Sequence, residues 1–397
     1  MDALPLPSRY WWVRTCSVAA LAVVLALPNA GCSVFGGDED PNPPAELTDF
    51  KPTLRLKKVW TADLGDSTES LRLALQPCSD GARIFAAAHD GNVAAFDAIK
   101  GKRLWLRKTK LQLSGGPATD GEVVLVGSSD GEVVALNAAD GQQRWRTTVS
   151  SEVLAAPAIA GGYALVRSVD GKLAALDLID GRQVWFVQQV MPRLTLRGTG
   201  APVVVQELVI AGFDNGKLAS YSLLDGSPGW DVLLDPPSGR NEVERLADIN
   251  ATVRTVGEDV YVVSYRGQLN AVAAESGQSL WSQDTQSYDG LAVDLENVYV
   301  STDSSELQAF SRQTGSEIWK SEAVKNRDIS GPTAYQSSVV VGDFDGYLHF
   351  FDTVTGKLQA RASVGSDRVT SPPIVVGEML YVQTDGGDLA AFRLIDK

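Results

Sequence analysis

The chain of 397 residues carries 35 Lys and Arg against 49 Asp and Glu, a formal net charge of −14. That acid excess argues against a nucleic-acid binder, because affinity for polyphosphate rests on clustered Lys and Arg, and a hydrophobic share of 44% argues against a disordered chain. Two His (His89, His349) and three Cys (Cys16, Cys32, Cys78), without CxxC, CxxCH or HExxH spacing, leave zinc, c-type haem and zincin chemistry with no ligand set.

Residues 1–31 read as an export signal. Arg9 and Arg14 precede a 12-residue apolar run, CSVAALAVVLAL, and small residues Ala30 and Gly31 stand directly before Cys32. As a helix the run rises about 18 Å, too short for a hydrocarbon core of about 30 Å. The Ala30-Gly31-Cys32 end resembles the lipobox of bacterial lipoproteins, in which the Cys is diacylated and becomes the mature N-terminus. Asn29 stands where that pattern has Leu, and ordinary signal cleavage with Cys32 left as a free thiol is the alternative. Ser33 after the Cys resembles the outer-membrane sorting signal of Gram-negative lipoproteins. Residues 32–50, acidic and rich in Gly and Pro after Cys32 (SVFGGDEDPNPPAELTDF), read as a flexible tether.

From residue 51 onward the sequence repeats. The clearest unit runs from Asp130-Gly131 through Ala135-Leu136 and Asp140-Gly141 to Trp145. The frame appears earlier at Asp90-Gly91 with Trp105 and recurs at Asp170-Gly171 with Trp185 and Asn215-Gly216 with Trp230. It continues at Gly267 with Trp281, at Ser305 (in place of Gly) with Trp319, at Gly346 with Ala360 in place of Trp, and at Gly387. Asp-Gly or Asn-Gly between alternating apolar runs signals a two-residue hairpin with positive φ at both central residues. Within 112–149 four strands are predicted, at 114–119, 122–128, 132–137 and 142–148. Four antiparallel strands per 40 residues or so, repeated, define a β-propeller.

The eighth unit has three strands, so its fourth is assigned to 54–63 (LRLKKVWTAD), which carries Trp60. The expectation is an all-β, eight-bladed propeller over 51–397, closed by the N-terminal strand completing the C-terminal blade and so removing two open sheet edges. One Trp per blade is expected to pack between neighbouring blades. Ala360 is expected to make a looser contact. His89, beside a turn, and His349, among aromatic residues, are expected to be structural.

Trp-to-Trp spacing is 40 in the early blades but 45 from Trp185 to Trp230 and 51 from Trp230 to Trp281. Part of the extra length falls in connections leading from one blade's outer strand to the next blade's inner strand, which all lie on one face of a propeller. The two segments are 191–198 (MPRLTLRG), with Leu194 and Leu196 beside Arg193 and Arg197, and 241–250 (NEVERLADIN), rich in acid. Together they are expected to form one surface patch. The alternative is that Leu194 and Leu196 face the core while Asp248 pairs with Arg197.

The frame Ala-x-Asp-x-x-x-Gly-x-x-x-Trp resembles the repeat of quinoprotein dehydrogenases, which hold pyrroloquinoline quinone on eight-bladed propellers. Over residues 32–397 the whole pattern of lipobox, tether and eight blades resembles the BamB family, the propeller lipoproteins of the outer-membrane β-barrel assembly machinery. In that family a Leu-x-Leu-Arg motif and a nearby Asp-x-Asp motif contact the periplasmic POTRA domains of the BamA-type insertase. The resemblance assigns that partner-binding role to Leu194, Leu196, Arg197 and Asp248, with Asn250 in the place of the second acid. It implies a scaffold lipid-anchored at Cys32 on the periplasmic face of the outer membrane, with unfolded barrel proteins as second candidate partners.

Two other readings stay open. A quinone-dependent oxidoreductase would resemble the chain in its repeat. Enzymes of that kind use an adjacent Cys-Cys disulfide and a calcium site, and this sequence has no such Cys pair. A propeller binding an envelope polymer would share fold and place and differ only in partner. The scaffold reading, with no catalytic residue, cofactor or metal, accounts for the anchor, the patch and the scarcity of reactive side chains together.

Overall fold

The computed structural model describes residues 41–65, 73, 75–249 and 251–395. The signal segment, Cys32 and Asn250 lie outside the described residues. Pro44–Lys397 form one compact unit. Its described residues form 32 strands in eight four-stranded antiparallel sheets. Seven sheets are sequential, beginning with Cys78–Ser79, Arg83–Ala87, Asn92–Asp97 and Arg103–Lys108. The eighth combines Ile374–Val376, Met379–Gln383 and Asp388–Leu394 with Leu56–Asp63 from the other end of the sequence. Eight blades closed by the N-terminal strand are what the repeat predicts. In the second blade the strands Leu113–Thr119, Val123–Ser128, Glu132–Asn137 and Gln143–Thr148 lie within one residue of the predicted bounds.

Among the described residues no strand ladder runs from one blade into the next; side chains fill the gaps. Eight apolar clusters fill the eight clefts between neighbours, and the last joins Tyr381, Leu389 and Ala391 of blade eight to Ile84, Ala94 and Phe96 of blade one. In seven clefts the outer-strand Trp reaches across the gap. Trp60, Trp105, Trp145, Trp185, Trp230, Trp281 and Trp319 each donate Nε1–H to a carbonyl in the next blade's outer turn, at 2.8–3.0 Å. Each indole lies on the glycine of that turn. At Gly141, with φ +71°, an added Cβ would stand 2.6 Å from Trp105. A side chain there would both strain the left-handed backbone and displace the ring.

The hairpin turns differ from expectation in one respect. At Asp130-Gly131 only the glycine has positive φ, at +76°. The Gly131 amide bonds to the Ser128 carbonyl at 3.2 Å, so Ser129 and Asp130 take an ordinary turn that ends in a left-handed Gly. That arrangement needs one special residue per turn rather than two. In blade six Ser305 supplies it, with φ +60°.

Blade seven departs from the pattern without loosening. In six blades the residue opposite the outer-strand Trp is Ala: Ala95, Ala135, Ala175, Ala271, Ala309 and Ala391. In blade four Ser220 accepts the Trp230 amide at 3.0 Å through Oγ. In blade seven Phe350 faces Ala360, so large and small exchange strands. Both are buried, in a cluster that also takes in Tyr335, Leu54 and Leu56. The expectation of a looser contact at Ala360 is therefore corrected. The reason lies in the seam: blade eight joins its last two strands from the two ends of the chain, so no glycine turn is there to receive an indole. Tyr335 instead donates its hydroxyl to the Glu378 carbonyl at 2.6 Å.

Residues 45–50, which the sequence reading places in the tether, already lie against blade seven. The Ala45 amide bonds to the Lys325 carbonyl at 2.8 Å, and Arg361 packs over the Phe50 ring at 5.4 Å. His349 is fully buried and bonds through Nε2 to Asp343 at 2.8 Å.

The strand exchange makes a specific prediction. Ala360→Trp, although it restores the repeat, will destabilise the protein by about 1–3 kcal/mol, because the filled cleft has no room for an indole. Adding Phe350→Ala will recover at least half of that loss. Denaturant midpoints of the two variants decide it, and a stabilised single variant would refute the account.

Candidate protein-docking site

The connection after Gln183–Gln188 and the one after Pro228–Leu233 lie on the same face of the ring, as their spacing predicts. Residues 191–202 form no strand or helix. Leu194 is 41% exposed. Leu196 and Arg197 turn toward the central channel, where they line a cavity at its mouth with Leu73, Leu154 and Tyr288. Arg197 has φ +59°, and its guanidinium bonds to Glu152 Oε1 at 2.8 Å while half its side chain stays exposed. The structure thus brings Leu194, Leu196 and Arg197 together on an accessible loop, and Leu194 does not face the core.

Asp248 is placed differently. It has no exposed surface, and its Oδ2 accepts the Leu196 N–H. It pairs with neither solvent nor Arg197. In this arrangement Asp248 does not offer its carboxylate outward; it holds the loop from beneath. The exposed acids of the second segment are Glu242 and Glu244, and Glu244 closes a local turn through the Arg240 amide and the Asn241 side chain.

A second buried group completes the support. Arg167, 4% exposed, pairs with Asp214 and directs Nη1 at the carbonyls of Gly198 and Gly200, at 3.4 and 3.5 Å. Thr252 Oγ1 accepts the Ala201 N–H at 3.3 Å. Arg167 and Glu152 were not singled out by sequence reading. Arg167 did leave a signal: the matching strand position in the other blades is Ala87, Gly127, Gly212, Val263, Ser301, Gly342 and Gln383, none of them charged.

Asp214, Asp235 and Asp248 gather three buried carboxylates near one guanidinium. Among the described residues, Asp214 Oδ2, Asp235 Oδ2, Asp248 Oδ1 and Arg167 Nε have no hydrogen-bond partner. Burial pushes the Asp248 carboxyl up to about 7, opposed by the Leu196 N–H and assisted by the charge of Asp214. Burial also raises Asp235. Cys78 is a free thiol, and burial pushes it up as well, which disfavours the reactive thiolate. Among the described residues no group of three His, Cys, Asp or Glu side chains is arranged to hold a metal ion.

Fold and site together define an eight-bladed β-propeller with a partly exposed loop, residues 191–198, held from beneath by Asp248 and Arg167. A family model described as outer membrane protein assembly factor BamB matches residues 89–321 and 313–396, and the chain belongs to that family. Relatives bearing that name include one from Pseudomonas aeruginosa, 43% identical over 94% of this chain and 98% of its own length. Another, from Alkalilimnicola ehrlichii, is 41% identical over 96% and 97%. The crystal structure of BamB from Moraxella catarrhalis superposes with a TM-score of 0.78 at 25% identity, covering 85% of this chain and all of that one. A europium-containing methanol dehydrogenase, at 12% identity and a TM-score of 0.71, shares the fold alone.

The raised Asp248 carboxyl sets a direction for pH. Its proton is held more tightly when the loop is closed, so the closed loop is most stable below about pH 4 and loses stability as pH rises toward 7. Hydrogen exchange at the Leu196 amide, corrected for its intrinsic pH dependence, should show protection falling by about tenfold or more between pH 5 and 7.5. Asp248→Asn keeps an acceptor without the charge and should flatten that dependence. Equal slopes in the two proteins would remove Asp248 from its role as the clamp.

Proposed function

We propose that this chain is a non-catalytic scaffold, lipidated at Cys32 and held on the periplasmic face of the outer membrane, that docks the POTRA domains of the BamA-type insertase and assists barrel insertion. The observation that carries this reading is the loop 194–197, with exposed Leu194 and Arg197 clamped from beneath by Asp248 and Arg167. A preformed loop loses little conformational freedom on binding, so more of its contact energy appears as affinity. Leu194 and Leu196 offer apolar area, and Arg197 offers a bidentate donor that exchanges Glu152 for a partner carboxylate. Asp248 acts through the Leu196 amide as a positioning residue, and Asn250 is assigned the second place of its motif. Unfolded barrel proteins are the second class of partner.

Isolation of the detergent-solubilised protein should recover the insertase, and Arg197→Glu should lower recovery by about tenfold or more, since it places like charge against the partner's acid. Full recovery with Arg197→Glu would overturn the assignment of the patch. Failure to recover any insertase from the native protein would favour a propeller that binds another envelope component. In parallel, pyrroloquinoline quinone with calcium should leave no bound chromophore and support no dye-linked alcohol oxidation; either signal would contradict the non-catalytic reading.

A further inference from the structure

The N-terminal segment does more than lead into the closing strand. Ala45, Leu47, Phe50, Leu54 and Leu56 are half-buried, while Glu46, Asp49, Lys51 and Arg55 between them are exposed. One side of the segment therefore packs on the propeller. Its contacts run down blade seven in order. The Ala45 amide donates to the Lys325 carbonyl at 2.8 Å, and the Ala45 carbonyl accepts Arg327 Nη1 at 3.1 Å. The Thr48 carbonyl accepts Arg361 Nη1 at 3.4 Å, and Phe50 lies under the same guanidinium. The Thr53 amide then donates to the Gln359 carbonyl at 2.9 Å, alongside the outer strand Leu358–Ser363.

The two arginines are themselves held from inside the blade. Arg327, with 5% of its side chain exposed, bonds to Asp343 at 2.8 Å and Asp345 at 2.6 Å. Arg361 Nε reaches His349 Nδ1 at 3.4 Å, and the other ring nitrogen of His349 is bonded to Asp343. Lys325 and Arg327 belong to a connection between an outer strand and the next inner strand, Glu317–Ser321 to Thr333–Tyr335. They lie on the face that carries 191–198.

We propose that Arg327 and Arg361 are positioning residues that strap residues 45–54 along blade seven, so that the chain leading back to Cys32 departs from the docking face. This rests on the reading that Cys32 is the anchor. With residues 32–44 read as tether, the strap shortens the chain between anchor and propeller. From Cys32 to Ala45 is 13 residues, an extended reach of about 45 Å; unstrapped, the free chain runs 24 residues to Leu56, a reach of about 80 Å. Because effective concentration falls as roughly the −3/2 power of linker length, release lowers it by about 2.5-fold for a partner in the same membrane.

The test replaces residues 45–50 with Gly and Ser at unchanged length in the full-length lipoprotein; Arg361→Ala is a second variant that spares the Arg327–Asp343 pair. In the solubilised native protein, the amides of Ala45 and Thr53 should be protected from hydrogen exchange, and both variants should lose that protection while the blades keep theirs. In membranes, initial crosslinking to the insertase should fall by about 2.5-fold in the Gly-Ser variant, and deleting 11 residues of its tether should restore it. Fast exchange in the native protein would overturn the strap. Protection without any effect of length would overturn its positioning role. A Cys32 without lipid, seen by mass spectrometry, would refute the anchor reading and leave the exchange result standing.

Discussion

The ring depends on one contact made seven times, a Trp side chain laid on the glycine of the neighbouring blade. Among the described residues each blade completes its own four-stranded sheet, and no strand ladder continues from one blade into the next. The cleft must be closed by side chains, and an indole buries on the order of 150–250 Å² in doing so. Its N–H is satisfied by a carbonyl of the same turn, so the large ring enters the cleft without leaving a polar atom stranded. Glycine is required on the receiving side for two reasons at once: its left-handed backbone makes the turn, and its missing Cβ leaves room for the ring. The channel and the relative placement of the long connections follow from seven clefts being filled alike and the eighth being filled by Phe350 and Tyr335.

This is also why so much of the fold was legible in the sequence. Trp and Gly recur at fixed offsets because they meet in space, and counting them counts blades. What was misread at Ala360 had a visible signal. The residue four positions after the turn glycine is Ala in most units but Phe at 350, so the exchange across the strand pair was written in the chain. A substitution in one strand has to be read against its cross-strand neighbour, since the pair fills the volume.

The candidate site was legible only in part, and the division is physical. Leu194 and Arg197 stand out because long connections on a repeat are conspicuous and exposed Leu beside Arg needs a reason. The burial of Asp248 is invisible, because it arises where Arg167, Asp214 and Leu196 converge from separate strands and loops. An acid in an acidic segment reads as solvated until the fold shows what lies above it. The same convergence raises its proton affinity: burial contributes most, the charges of Asp214 and Asp235 add to it, and the Leu196 N–H and the Arg167 guanidinium oppose it.

The seam has a consequence for the order in which the molecule can be made. Among the described residues Leu56–Asp63 pairs with Asp388–Leu394 alone, more than 300 residues later. Seven of the eight clefts lie between blades that are consecutive in the chain, and each can close as its second blade arrives. The remaining cleft joins the last blade to the first. Until the final strand has been synthesised and delivered, the first strand has no partner, and its apolar side and both its hydrogen-bonding edges are open to any other sheet edge nearby. Ring closure is thus the contact of longest sequence separation and the last to form. A chain stopped short of its final blade is left with an open arc and an unpaired N-terminal strand, a ready template for aggregation.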